Sequence, residues 1–475
     1  MAATRRQFVA QGLGYAAGAS LFALGVGNTK ADINAKTVSE TKPARRESIV
    51  RMTPGQLAKI ESVVAGMMER SAKDPRDPSG WLMNADPHRE FCAAPGGSGF
   101  AQIHYCYWFL PWHRAYLAVL DRKLRALSGD PTLSFPYWNW SSTHRLPLAL
   151  TQPDSSLSRA IRFTPNRPLR PDEIDYYKDD PVRSKLGVAA LEASKFVANA
   201  ILDRKDMAIE LNNSFGGLIR PNAEQIYGNS RMENTPHGPI HVYVGGIDNV
   251  TRAGGDMTNF ATAARDPAFF AHHGNLDRLW EIWRSNPANR AKEPTTSDFL
   301  EHTFTFPWLD GTSMQVTVAE TLDVTKLGYV YDSLNVFETV TPVFEPEGPA
   351  QKLPPIVDTV VSLPPRPEST SEAPPRYLLV LEDIASPDRP MSAGVYVSTR
   401  GDAGSPSVLV GSISVVRSGD AFKPLDPVLL FDISAAVRIL QTPNLRVLVV
   451  PNAIGGEAEQ PYNPLRFKRA TVILL

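Results

Sequence analysis

The period of the apolar residues changes near residue 303, and the change divides the chain into a helical part and a strand-rich part. Ile49, Met52, Leu57, Ile60, Val63, Val64 and Met67–Met68 recur at helical intervals and predict an amphipathic helix over residues 48–70. Thr53 supplies a cap and Pro54 a first-turn proline. Residues 74–100 are rich in Pro, Gly and Asp, which places His88 and Cys92 on or beside a loop. A second helix is expected over 107–127, with Pro111 near its start and Leu117, Leu120, Leu124 and Leu127 on one side. The aromatic run Phe135–Trp140 should be buried beside it, and residues 183–212 look helical. The best-marked helix starts at Asp266-Pro267, a favoured cap and first residue, and runs through Leu276, Leu279, Ile282 and Trp283 to Asn286-Pro287.

Beyond residue 303 the texture becomes that of strands. Residues 303–345 alternate Thr, Val, Phe and Tyr. Residues 343–375 hold many prolines without apolar periodicity and read as an exposed linker. Residues 376–475 carry short apolar runs at 377–381, 394–397, 408–410, 413–416, 447–450 and 471–474, separated by turn residues, which predicts a β-sandwich. The expected fold class is therefore α+β, in a chain of 475 residues that is long enough for two or three domains.

Charge narrows the partners. Lys and Arg total 49 against 50 Asp and Glu, which gives no support for a nucleic-acid or anionic-membrane partner. Two cysteines, Cys92 and Cys106, are too few for a disulfide framework. Thr4-Arg5-Arg6-Gln7-Phe8-Val9 precedes an apolar run from Gly12 to Val26. That is the twin-arginine export pattern, and it predicts a signal over residues 1–31, with cleavage between 28 and 40 and a periplasmic or secreted protein. No lasting membrane association is expected after its removal, and the oligomeric state stays open.

Seven of the nine histidines fall into two clusters: His88, His104 and His113, then His237, His241 and the His272–His273 pair. His237 and His241 are four apart, so on a helix both imidazoles share a face and can reach one ion. His272 and His273 point about 100° apart, so only one of them can join. His104 and His113, nine apart, would be about 180° out of phase on one helix. They converge only if His104 precedes the helix or the segment bends at Pro111. Neutral imidazoles suit copper, zinc, iron and nickel alike.

The motifs around these histidines resemble one family. Phe109-Leu110-Pro111-Trp112-His113-Arg114-x-Tyr116-Leu117 is similar to the first copper motif of the tyrosinase and plant polyphenol oxidase family. Glu233-Asn-Thr-Pro-His237-Gly-x-x-His241-x-x-x-Gly245 resembles the second, which Asp266-Pro267-x-Phe-Phe-x-His272-His273-x-Asn275-x-Asp277-Arg278-x-Trp280 completes. The likeness continues through Pro307-Trp308-Leu309-Asp310 and Leu327-Gly328-Tyr329-Val330-Tyr331, so it covers about residues 48–335, with 303–335 as a strand-rich extension. A weaker likeness to the plant enzymes' C-terminal shielding domain reaches the end of the chain.

The resemblance implies a four-helix-bundle catalytic domain holding two copper ions, with dioxygen as co-substrate. His88, His104 and His113 would bind copper A, and His237, His241 and His273 copper B, leaving His272 as a neighbour. Glu233 would hold a water near the coppers, and Phe260 would be a gate over copper B or a plain core aromatic. Asp277, one turn after His273, would orient an imidazole or pair with an arginine. Plant members of the family make a thioether at this spacing, so the resemblance also implies one from Cys92, four residues after His88, to His104, with a free thiol or a Cys92–Cys106 disulfide as alternatives. His144 and His302 match nothing and read as structural residues. Pro307 stands where the family has an acid, and the plant enzymes' N-terminal cysteine network is absent.

The activity implied is oxidation of o-diphenols to o-quinones, with weaker hydroxylation of monophenols. Gly238 follows the first copper B histidine and has no side chain to hold a water there. A hydroxylase-dominant tyrosinase, a haemocyanin-like oxygen carrier and a zinc or di-iron hydrolase are the rival readings. Because neutral imidazoles are needed, activity should fall as pH drops through the histidine range.

Overall fold

The computed structural model describes residues 42–92, most of 103–174 and of 230–336, and, towards the C-terminus, 355–365, most of 375–399, 407–418, 421–422, 428–452 and 465–474. The twin-arginine segment and the helix expected over 183–212 lie outside the described residues.

Strand β1 (Ala44–Arg46) leads into α1 (Pro54–Lys73). Thr53 caps α1 in a reciprocal box with Gln56, and the helix turns Ile60, Val64 and Met67 into the core. The segment read as a loop contains α2 (Trp81–Cys92), so His88 is helical. The turn-forming residues act only on 74–80: Gly80 N–H donates to the Asp77 carbonyl at 2.8 Å, and Leu82 N–H to Ser71 Oγ at 2.9 Å. Burial of Trp81, Ala85 and His88 then carries the helix through Pro87, which lacks one backbone donor.

Helix α3 (Phe109–Ser128) is buried along most of its length and ends at Gly129, whose φ of 70° is a left-handed cap. A five-residue π-turn, Glu233–His237, runs into α4 (Gly238–Gly245). Helix α5 (Pro267–Ser285) starts as expected, with Asp266 accepting from Ala268 N–H at 2.7 Å. The aromatic run lies against α5: Trp138 N–H donates to the Ala271 carbonyl at 2.9 Å. Gly274 makes room there, because an added Cβ would come within 3.1 Å of Tyr137 Cβ.

A buried ionic network ties these helices to the strands. Asp277 on α5 accepts from the Arg114 guanidinium of α3, from Tyr329 OH at 2.6 Å and from Tyr331 OH. Arg46 of β1 reaches Asp121 at 2.8 Å and Asp277 at 3.5 Å, and lies 3.9 Å over the Tyr329 ring. Burial opposes the charge on Arg114, but Asp277 and Glu281 more than offset it and hold its pKa above the ordinary value. Strand β4 (Tyr329–Tyr331) pairs parallel with β1, so the network closes the two ends of the helical domain. Between them, β2 (Thr303–Pro307) and β3 (Ser313–Thr317) form a hairpin.

The C-terminal part holds two sheets. The first joins β5 (Val357–Ser362), β12 (Asn444–Pro451), β7 (Met391–Thr399) and β8 (Ser407–Val415) in that order. The second is β11 (Val428–Asp432), β6 (Tyr377–Glu382) and β13 (Arg469–Leu474). A two-residue ribbon, β9 (Arg417–Ser418) with β10 (Ala421–Phe422), and α6 (Ser434–Leu440) complete it. Leu379, Leu381, Val395, Val397, Val447 and Val449 fill one core shared by both sheets. Strand β5 corrects the linker boundary: Val357–Ser362 pairs with β12, so the domain begins before residue 376. Prolines at 354–355 and 364–365 confine the strand and mask its alternation.

Candidate metal centre

The structure brings the two histidine clusters face to face. The ligand-type nitrogens of His88, His104 and His113 lie within 4.8 Å of one another, and so do those of His237, His241, His272 and His273. The rings of His113 and His273 stack at 4.1 Å and 5°, and those of His104 and His237 lie 5.4 Å apart. His88 comes from α2, and His104 from the turn before α3, on which His113 sits. His104 thus precedes the helix, and Pro111, in the first turn of α3, bends nothing between them. His237 closes the π-turn, His241 lies one turn into α4, and His272 and His273 lie on α5.

Backbone carbonyls decide which nitrogen three of the rings offer. His88 Nδ1 bonds the Phe260 carbonyl at 2.8 Å, His113 Nδ1 the Phe109 carbonyl at 2.8 Å, and His241 Nδ1 the Met257 carbonyl at 2.9 Å. A carbonyl only accepts, so in each ring Nδ1 carries the hydrogen and Nε2 keeps its lone pair. The Nε2 atoms of His88, His113 and His237 are buried without a hydrogen-bond partner. Burial lowers the pKa of these groups: His88 to about 3 and His241 to about 4, with His104, His113, His237 and His273 also well below the usual range. Two pockets of neutral imidazoles with inward lone pairs fit a pair of nitrogen-loving metal ions.

His272 and His273 diverge as helix geometry requires. His273 stacks on His113 and brings its Nε2 to 3.4 Å from His241 Nε2. His272 stays beside the second trio, its ring stacked on His237 at 5.8 Å and 5.3 Å from His241, with Trp140 at 6.3 Å, but among the described residues it makes no ring contact with the first trio. The geometry therefore favours His273 as the third group of the second trio.

The remaining candidates divide. Glu233 is buried and accepts from Ser230 N–H at 2.9 Å. Phe260 departs from its expected place: its ring stacks on His104 at 4.6 Å and lies 6.1 Å from His88, so it walls the first trio rather than the second. Its own carbonyl, anchored on His88, fixes it there. Asp277 takes the second of its two expected roles, since arginines and tyrosines occupy its carboxylate and no imidazole bonds it. Cys106 is buried, with its thiol 3.4 Å from the Ile103 carbonyl, and the side chain of Cys92 lies outside the described residues, so neither the thioether nor its alternatives are decided there. His144 bonds the Ser141 carbonyl at 3.2 Å, and His302 stacks on Trp108 at 3.8 Å, both apart from the site.

Two rings that the sequence did not single out complete the walls. Phe109 lies 4.8 Å from His113 and 4.9 Å from His237. Phe269 lies 4.7 Å from His88 and 4.2 Å from His273. Each stands four residues before a site histidine on the same helix, the spacing at which side chains meet, and that was the available signal.

Comparison with known proteins bears on the same segments. A model of the common central domain of tyrosinase matches residues 76–286, and one of the polyphenol oxidase middle domain matches 293–337, together more than half of the chain. A chloroplastic polyphenol oxidase of Malus domestica is 33% identical over 270 residues, 55% of this chain and 44% of that one. The chain spans about half the length of the curated relatives it matches. The structure of a latent apple tyrosinase superposes with a TM-score of 0.64 at 24% identity, covering 91% of this chain and 97% of that one. A functional unit of octopus hemocyanin gives 0.52 at 18% identity, covering 91% and 99%. The structural likenesses speak to the mixed α+β fold. Since the matched central domain spans all six histidines of the two trios, the chain belongs to the tyrosinase and polyphenol oxidase family of copper oxidoreductases.

Proposed function

We propose that this chain oxidises o-diphenols to o-quinones, using dioxygen, and hydroxylates monophenols more slowly. The observation that carries the reading is the pair of facing, buried histidine trios, in which carbonyls hold Nδ1 of His88, His113 and His241 and leave their Nε2 lone pairs free for a metal. His88, His104 and His113 would hold one copper ion, and His237, His241 and His273 the other. Copper bound there would pass electrons from the phenol to dioxygen. Phe109, Phe260 and Phe269 exclude water from the imidazoles and give an aromatic substrate apolar walls. Glu233, buried one turn before His237, would hold the water that takes the phenolic proton. A thioether between Cys92 and His104 would fix that ring; its mark is the loss of two hydrogens across the linked peptides by mass spectrometry.

Two further parts of the reading concern the whole chain. The twin-arginine segment would export the protein to the periplasm or beyond. The C-terminal sheets would shield the site and make the full chain partly latent, the word used for the apple enzyme. The deciding assay compares purified, copper-loaded protein on catechol and on a matched monophenol. Faster catechol turnover is expected. No turnover of either, with reversible oxygen binding, would favour an oxygen carrier, the reading that the hemocyanin likeness keeps open. Cleavage between residues 343 and 355, ahead of β5, is expected to raise catechol turnover several-fold, and equal rates before and after would rule out a shield.

A further inference from the structure

Strand β8 has two faces of different chemistry. Successive side chains of a strand alternate. Ile413 and Val415 enter the core between the C-terminal sheets. Ser412 and Ser414 therefore share the other face, and that face rests on the turn carrying His237. Ser412 Oγ lies 2.5 Å from Thr235 Oγ1. Val416, just past the strand, packs into the core of the helical domain.

Ser414 meets Gly238. A Cβ built on Gly238 would lie 1.9 Å from Ser414 Oγ and 3.0 Å from Ser414 Cβ. The backbone does not ask for glycine there: φ is −61° and ψ −51°, ordinary helix that any residue adopts. Space alone excludes a side chain, and a residue of the C-terminal domain occupies that space. The contact forms no bond, because Ser414 Oγ is buried without a hydrogen-bond partner. Release would return that hydroxyl to water, so Ser414 itself is held by fit, while the Ser412–Thr235 pair and buried Val416 supply the attraction.

We propose that Gly238 is the seat of the C-terminal domain: a side chain at this position displaces β8 and opens the site, so one residue beside His237 couples pocket shape to latency. The inference rests on the shielding role given under the proposed function, and its test has an arm independent of catalysis. Hydroxyl-radical footprinting of the copper-free full chain reports the exposure of Val416, which is 4% exposed when seated. Gly238→Ala is expected to raise labelling of the Val416 peptide roughly fivefold, leaving peptides of α1 unchanged. Adding Ser414→Gly, which removes both atoms nearest the new Cβ, should return labelling to the wild-type level. After copper loading, Gly238→Ala in the full chain should oxidise catechol about as fast as linker-cleaved wild type. Wild-type labelling in Gly238→Ala would overturn the proposal. If that variant does not accumulate, Ser414→Leu puts the bulk on the strand, and wild-type labelling there would overturn it equally. Catechol inactivity of every copper-loaded form would sink the oxidase reading, while the footprint would still decide the seat.

Discussion

Two buried polar contacts flank the histidines, and they hold the molecule in opposite ways. On one side, Arg114 directly follows His113 and Asp277 lies one turn past His273; with Arg46, Asp121, Tyr329 and Tyr331 they form a charged network in which each carboxylate meets several donors. On the other, Thr235 and Gly238 meet Ser412 and Ser414 through one hydroxyl pair and one bare steric fit. The first contact cannot open without stranding charges in the core. The second holds one hydroxyl pair and the apolar seat of Val416, so opening it strands no charge. The geometry of the histidines is thus backed by the part that is expensive to disturb, while access, under the proposed shielding role, would be governed by the part that carries no charge.

The comparison breaks most visibly at Asp277. Asp277→Ala leaves Arg114 and Arg46 short of a buried counter-charge and should cost about 3–5 kcal/mol. Denaturant unfolding of the copper-free chain measures this, and a loss below about 1 kcal/mol would show that the network is not what braces the helices.

Acid should act next, and through the histidines. Burial holds His88 at about 3 and His241 at about 4, below their ordinary value of 6.5. The folded state therefore resists protons that the unfolded chain accepts. The stability this confers is complete above about pH 6.5 and drains away as pH falls towards 4 and then 3. The expectation that function fades within the ordinary histidine range shifts to lower pH for the same reason. Thermal unfolding of the copper-free chain from pH 7 to 4 should show a steady fall in Tm, and a flat profile would count against neutral buried imidazoles.

On the seating side the effect is smaller. Ser412→Ala orphans the Thr235 hydroxyl and should weaken docking by about 1 kcal/mol, a roughly fivefold shift in favour of the open form. Catechol turnover of the full chain should rise by a similar factor while the global Tm stays within a degree or two. A large fall in Tm would mean that this contact belongs to the fold and not to its regulation.

What could be read in advance follows from how local each signal is. Helices α1 and α5 were marked by their own caps, Thr53 and Asp266, and His237 with His241 by a spacing of four. The first trio needed its resemblance to a family, because His88, His104 and His113 come from a helix, a turn and another helix. Helix α2 was hidden by the turn-forming composition just ahead of it, and β5 by flanking prolines. The anchoring carbonyls of Phe260 and Met257 carry no side-chain signature at all. Gly238 was legible as a missing side chain beside a ligand, but its partner Ser414 lies in another domain, and only the folded chain brings them together.

That partnership changes how Gly238→Asn should be read. An amide at 238 was expected to hold a water with Glu233 and so favour monophenol hydroxylation. It must also collide with Ser414, since even a Cβ lies 1.9 Å from its hydroxyl. A rise in monophenol turnover of the full chain would then mix two causes. The ratio of monophenol to diphenol rates separates them: opening the site raises both rates alike, whereas a better-held base raises only hydroxylation. The ratio should increase about threefold, under 1 kcal/mol of barrier, and by the same factor in the full and in the linker-cleaved chain. Both rates rising together with an unchanged ratio would assign position 238 to seating alone and leave the phenolic proton to Glu233 without help from its neighbour.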